Sequence, residues 1–247
     1  VLAVLVGEDR YREALGDLFE GVQPFGPERP LQGLAWLPPC RPSKIVGVGR
    51  NYKAHAQELG HEVPAEPLLF LKPASALLPH RGVIRLPSAS IRVDYEGELG
   101  IVIGRTARNV TEAEAPQVIL GYTCVNDVTA RDLQKRDVQF TRAKGFDTFC
   151  PVGPCLATGL DPETLTLRTF VNGQPRQSAT VRDMIFPPAR LVSYVSSVMT
   201  LEPGDLIATG TPEGVGPLAS GDLVEVAIEG VGRLSNSVAS GSGTAAP

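Results

Sequence analysis

The sequence has no run of about 18 apolar residues, the length a membrane-crossing helix needs; its apolar stretches are strand-sized. Histidine is scarce, and His55, His61 and His80 are too scattered for a multi-histidine metal site. Of the four cysteines, Cys40, Cys124, Cys150 and Cys155, none forms a C-x-x-C pair. They read as buried free thiols, which argues against a zinc or disulfide framework. There is no G-x-S-x-G nucleophile elbow and no Gly-Lys-Ser/Thr of a phosphate-binding loop. A net charge of −4 gives no basic surface for nucleic acid or an acidic membrane. The opening Val1-Leu-Ala-Val-Leu-Val6 lacks the basic segment and cleavage site of a secretory signal, so a cytoplasmic location is the default expectation. Five lysines stand against 18 arginines, a bias that bears on host and stability rather than on activity.

What is present is a chain of 247 residues, enough for one well-buried domain with a small appendage. The Pro-rich stretch Leu37-Pro-Pro-Cys-Arg-Pro42 marks a boundary between a small N-terminal module, 1–42, and a main domain, 43–238. The Gly/Ser/Ala-rich residues 239–247 read as a flexible tail. Within the main domain short apolar strands recur, separated by turns such as Glu202-Pro-Gly-Asp205. Helices are predicted at Tyr52–Leu59, Val128–Asp137 and Pro188–Thr200. The fold class is α+β, dominated by strands, without a regular βαβ alternation.

One segment carries unusual chemistry. Along Ile91–Ile103, odd positions are apolar apart from Gly97, and even positions include Asp94, Glu96 and Glu98. A strand therefore sets Glu96 and Glu98 side by side. Adjacent carboxylates repel unless a cation holds them, and hard oxygen ligands suit Mg²⁺, Mn²⁺ or Ca²⁺. A solvated strand face is the plainer alternative. A third acid, Asp127, follows the apolar run Ile119–Val125. If Val128 begins a helix, Asp127, Arg131 and Gln134 share a face at i, i+4 and i+7, where a metal and a carboxylate substrate could meet. An ordinary capped helix with a polar stripe explains the spacing equally well.

Asn51 can cap the 52–59 helix and Gly60 can end it. On that helix His55 and Glu58 lie three apart, an arrangement suited to a general base, though also to a surface pair. Lys144 is open in the same way. Gly210-Thr-Pro-Glu-Gly-Val-Gly216 reads as a tight loop whose amides can meet an anion.

Taken together, these segments resemble the fumarylacetoacetate hydrolase family from about Lys44 to Asn236. The resemblance rests on Gly47-Val-Gly-Arg-Asn-Tyr52 with His55 and Glu58, Leu69-Phe-Leu-Lys-Pro73 and Tyr95-Glu-Gly-Glu-Leu-Gly100. It continues through Asn126-Asp-Val-Thr-Ala-Arg-Asp132 and Thr209-Gly-Thr-Pro-Glu-Gly-Val-Gly216. It implies a mixed β-roll of stacked sheets with peripheral helices, assembled as a homodimer. It implies a Mg²⁺ (or Mn²⁺) cofactor on Glu96, Glu98 and Asp127. It further implies a His55–Glu58 dyad on a lid, an active-site Lys144, and Arg131, Gln134 and Thr211 at a small 2-oxo acid substrate. Leu165–Gly173 and Ile228–Asn236 are similar to the bacterial enzymes that isomerise 2-hydroxyhepta-2,4-diene-1,7-dioate and decarboxylate 5-oxopent-3-ene-1,2,5-tricarboxylate. Asp127–Gln134 and Thr141–Phe146 are equally similar to acylpyruvate hydrolases and oxaloacetate decarboxylases.

Overall fold

Strands follow one another from Ile45 onward, and the chain curls them into layers. A computed structural model describes residues 35–58, 60 and 62–241. Most of the expected N-terminal module and residues 242–247 of the expected tail lie outside the described residues. The first strands are β1 (Ile45–Gly49), β2 (Leu68–Lys72), β3 (Leu77–Pro79), β4 (Val83–Leu86) and β5 (Val93–Tyr95). Then come β6 (Gly97–Ile103), β7 (Ile119–Asn126), β8 (Thr129–Ala130), β9 (Cys150–Ala157) and β10 (Thr166–Val171). The last are β11 (Gln174–Thr180), β12 (Leu206–Ala208), β13 (Gly216–Pro217), β14 (Leu223–Ile228) and β15 (Gly232–Ser240). The α-helices are α1 (Lys53–Glu58), α2 (Ala115–Val118), α3 (Arg131–Arg136), α4 (Thr141–Lys144) and α5 (Pro188–Val198).

A seven-stranded sheet runs β2-β1-β12-β6-β7-β9-β3, a five-stranded sheet β11-β10-β14-β15-β4, and a small third sheet β13-β5-β8. Parallel pairs (β1 with β12, β15 with β4, β3 with β9) mix with antiparallel ones. The β-dominated α+β class is what the sequence pattern predicted, and the mixed sheets are what the family resemblance implied. The β10–β11 hairpin turns at Asn172-Gly173, φ 52° and 75°, the residue types a two-residue turn with two positive φ angles selects.

The core forms because the large sheet is covered on both faces. Alternate residues of β6, Leu99, Ile101 and Ile103, pack with Leu167, Val226 and Ile228 of the second sheet and with Leu191 and Val195 of α5. From the opposite face Val102 joins Ile45, Cys150 and Leu206. Pro188 opens α5 where a missing N–H costs least.

Four local expectations change. The continuous 91–103 strand breaks at Glu96 into β5 and β6, and Ile91 lies in the solvent. The helix predicted from Val128 begins instead at Arg131, because Thr129 and Ala130 pair with Asp94 and Val93. Asn51 does not cap α1: its amide donates to the Phe186 and Thr209 carbonyls and accepts from the Phe186 N–H. Ala239 and Ser240, assigned to the tail, complete β15 against Arg85 and Leu86. No helix among the described residues is long and apolar enough to cross a membrane.

Candidate active site

The β6–β7 pair builds the acidic cluster. Gly97 pairs with Asn126, the Asp127 N–H donates to the Glu96 carbonyl at 2.8 Å, and the Asn126 side chain accepts from the Glu96 N–H at 3.0 Å. One strand start and one strand end are thus locked together, and three carboxylates converge. Ligand oxygens of Glu96, Glu98 and Asp127 lie within 4.8 Å of one another, and all three residues are buried.

Cations surround them. Lys144 Nζ donates to Glu96 Oε2 at 2.7 Å and to Asp127 Oδ2 at 2.5 Å, and sits 5.0 Å from the Phe70 ring centre. Lys72, fully buried at the end of β2, donates to Asp127 Oδ1 and to the Lys144 carbonyl, both at 2.6 Å. Arg131 bonds Asp94 at 2.9 Å, Gln134 at 2.6 Å, and Glu96. Lys144 is therefore no surface lysine. Arg131 and Gln134 do line one cavity with Asp127, but the i, i+4, i+7 helical face is not the reason. Asp127 precedes β8, and Arg131 turns back from the first turn of α3.

The electrostatics are lopsided. Burial alone would raise the Glu96 carboxyl, yet Lys144 and Arg131 outweigh it and hold Glu96 well below the usual carboxylate range. Glu98 has no such partner: burial, then the charges of Asp127 and Glu96, push it well above that range, opposed by Lys144 and the Gly210 N–H at 2.8 Å. Asp127 and Glu96 keep Lys144 protonated against its burial. A divalent cation is the natural remedy for Glu98, so this donor set fits a hard metal ion.

Helix α1 brings His55 to the cavity wall. His55 Nδ1 lies 3.1 Å from Glu58 Oε2, and the other Glu58 oxygen accepts the Gly214 N–H at 3.1 Å. The loop 210–216 thus does meet anions through its amides, the protein's own Glu98 and Glu58. Thr211 donates to the Gly97 carbonyl and accepts from Gln177, each at 2.8 Å. All nine residues singled out from the sequence come together: eight line one cavity of about 350 Å³, and Glu58 backs His55.

Sequence reasoning missed Lys72, Asp94 and Gln177. Lys72 carried a signal: a lysine ending an apolar strand, in a chain with few lysines, inside a motif already noted. Asp94 shared the alternation that singled out Glu96 and Glu98, and Gln177 carried no signal. All four cysteines are free thiols as expected; Cys40, Cys124 and Cys150 are buried, Cys155 is only partly buried, and burial pushes the Cys150 thiol up to about 12.

The chain that carries this arrangement has relatives among known proteins. Residues 44–239 match the family described as Fumarylacetoacetate (FAA) hydrolase C-terminal. The chain belongs to the fumarylacetoacetate hydrolase family. Among solved structures it is similar to 2-hydroxyhepta-2,4-diene-1,7-dioate isomerase from Mycobacterium marinum, with 49% identity and a TM-score of 0.78, covering 86% of this chain and 83% of that one. It is 46% identical over 198 residues to oxaloacetate tautomerase FAHD1, mitochondrial, of Arabidopsis thaliana, covering 78% of this chain and 89% of the relative. It is 43% identical over 212 residues to oxaloacetate tautomerase YisK of Bacillus subtilis, covering 80% of this chain and 70% of the relative. This is a fumarylacetoacetate hydrolase family enzyme with isomerase and tautomerase relatives.

Proposed function

We propose that this enzyme moves a proton between carbon and oxygen of a 2-oxo dicarboxylate, as an isomerase of the 2-hydroxyhepta-2,4-diene-1,7-dioate type or an oxaloacetate tautomerase. The two activities share one elementary step, the interconversion of a 2-oxo acid and its enol. The observation that carries the reading is the His55–Glu58 pair at 3.1 Å, with buried His55 sharing a cavity with three carboxylates and their cations.

Mg²⁺ or Mn²⁺ on Glu96, Glu98 and Asp127 would supply Lewis-acid withdrawal of charge from the 2-oxo oxygen and the adjoining carboxylate. The chain's own residues do the rest. Glu58 fixes the His55 ring through Nδ1, so that Nε2 exchanges the proton with substrate carbon. Lys144 and Arg131 place positive charge where the enol oxygen becomes negative. Lys72 holds Asp127 from behind. Leu68, Phe70 and Phe140 give the cavity an apolar side that limits water.

Loss of CO₂ from a β-oxo acid would use the same charge-stabilising groups. Cleavage of an acylpyruvate would instead require the dyad to activate water. Purified protein with Mg²⁺ given 2-hydroxyhepta-2,4-diene-1,7-dioate, oxaloacetate and an acylpyruvate separates these. Proton transfer on the first two without acylpyruvate cleavage supports the proposal, and acylpyruvate cleavage alone overturns it.

A further inference from the structure

Four cationic residues line the cavity: Arg50, Arg131, Lys135 and Lys144. Arg131 and Lys144 are committed to Asp94, Glu96 and Asp127. Arg50 and the exposed Lys135 make no hydrogen bond or ion pair among the described residues.

Arg50 is also conformationally unusual. Its φ is 58°, in the left-handed region that long side chains rarely adopt. The chain is pinned on either side of it. Gly49 ends β1 in register with Leu68. Asn51 is completely buried, its side chain bonded to Phe186 and Thr209 and its carbonyl accepting the Ile185 N–H at 2.8 Å. Glycine or asparagine would make that turn at less cost. Arg50 is among the residues that line the cavity, and strain of this kind collects at binding sites.

Resting on the proposed reading of the cavity as a 2-oxo acid site, we propose that Arg50 grips the substrate carboxylate remote from the 2-oxo group. It thereby makes the enzyme selective for dicarboxylates. A guanidinium fork matches a carboxylate in two parallel bonds. Lys135 adds a second positive charge to the same lining, and Leu68, Phe70 and Phe140 carry the carbon chain between its two charged ends.

Oxaloacetate and acetopyruvate form a matched pair of probes, because acetopyruvate has an acetyl group in place of the remote carboxylate. Dissociation constants for both come from thermal-shift titrations of wild type, Arg50→Asn and Arg50→Lys in Mg²⁺. Asparagine tolerates the positive φ, so Arg50→Asn should melt no lower than wild type. Wild type should prefer oxaloacetate by about tenfold or more, Arg50→Asn should lose most of that preference, and Arg50→Lys should fall between them. A wild type without preference overturns the proposal, as does an Arg50→Asn that keeps it. Binding needs no turnover, so failure of the parent reading shows separately. It would appear as wild type that binds oxaloacetate selectively yet leaves its keto and enol forms to equilibrate at the uncatalysed rate.

Discussion

The Gly214 backbone N–H donates to Glu58 Oε1 at 3.1 Å, across 156 positions of sequence. It fastens the helix carrying His55 to the loop that carries Gly210 and Thr211. Glu58 thus has two duties, orienting the imidazole and latching the helix. Glu58→Gln keeps an acceptor and loses the charge, whereas Glu58→Ala loses both. We expect His55→Asn to lower kcat by about 10²–10⁴-fold, Glu58→Ala to fall within that range, and Glu58→Gln to lose less. Steady-state kinetics of the three variants check the order; a Glu58→Gln as damaged as Glu58→Ala would remove the latch from the account.

Glu98 is the carboxylate whose charge the metal-free protein tolerates least, through burial and the charges of Asp127 and Glu96. Replacing it by glutamine removes that repulsion and keeps an acceptor for the Gly210 N–H. Glu98→Gln should therefore melt at or above wild type in EDTA, yet lose the rise in melting temperature that Mg²⁺ or Mn²⁺ gives the wild type. Paired thermal scans with and without cation decide. A variant that still gains from the cation contradicts its assignment as a ligand.

Gly97 separates the two glutamates and lies against the second sheet. A Cβ built there would sit 2.1 Å from Thr169 Oγ1 and 3.4 Å from Thr169 Cβ. Thr169 Oγ1 is itself buried without a hydrogen-bond partner. Gly97→Ala should therefore destabilise the protein by about 1–3 kcal/mol through overpacking and weaken cation binding. Adding Thr169→Ala removes the hydroxyl and should restore much of both. Denaturant melts of the single and double variants test this, and simple additivity would contradict it.

Asp205 is buried beneath the start of the main domain, its carboxylate accepting from the Ser43, Lys44 and Glu202 N–H groups at 2.9, 3.1 and 2.8 Å. Burial would raise its carboxyl, but these bonds and Lys44 outweigh it and hold Asp205 below the usual value of about 3.9. A depressed folded-state value stabilises above the unfolded value, and the contribution disappears as pH falls through the folded one. Asp205→Asn should cost about 1–3 kcal/mol near neutral pH, and the deficit should shrink below about pH 4. A deficit constant from neutral pH to acid would be the wrong result.

Much of this was legible in the sequence because one-dimensional patterns carry it. Alternation along 91–103 put Glu96 and Glu98 on one side of a strand, and the three-residue spacing of His55 and Glu58 put them on one turn. The errors arose where long-range pairing overrode local preference. Helix 128–137 lost its first turn because Thr129 and Ala130 pair with Asp94 and Val93 of β5, 35 and 37 positions earlier. Asn51 looked like a cap because its partners, Phe186 and Thr209, are distant in the chain. Lys72 reached the carboxylates only because β2 folds against β1 and brings its last residue beneath Asp127. Neither face of β6 is solvated, since a sheet covers one side and the Cys40–Ile45 cluster the other, and no local pattern announces a second layer.

The measurement that bears most directly on the central claim is the rate of oxaloacetate enol-to-keto conversion by metal-stripped protein before and after Mg²⁺ is restored. Glu96→Ala run in the same buffer corrects for the free ion. The account predicts catalysis that is absent after stripping, returns with Mg²⁺ and never appears in Glu96→Ala. Equal rates in stripped and reloaded protein, or full activity in Glu96→Ala, would contradict it.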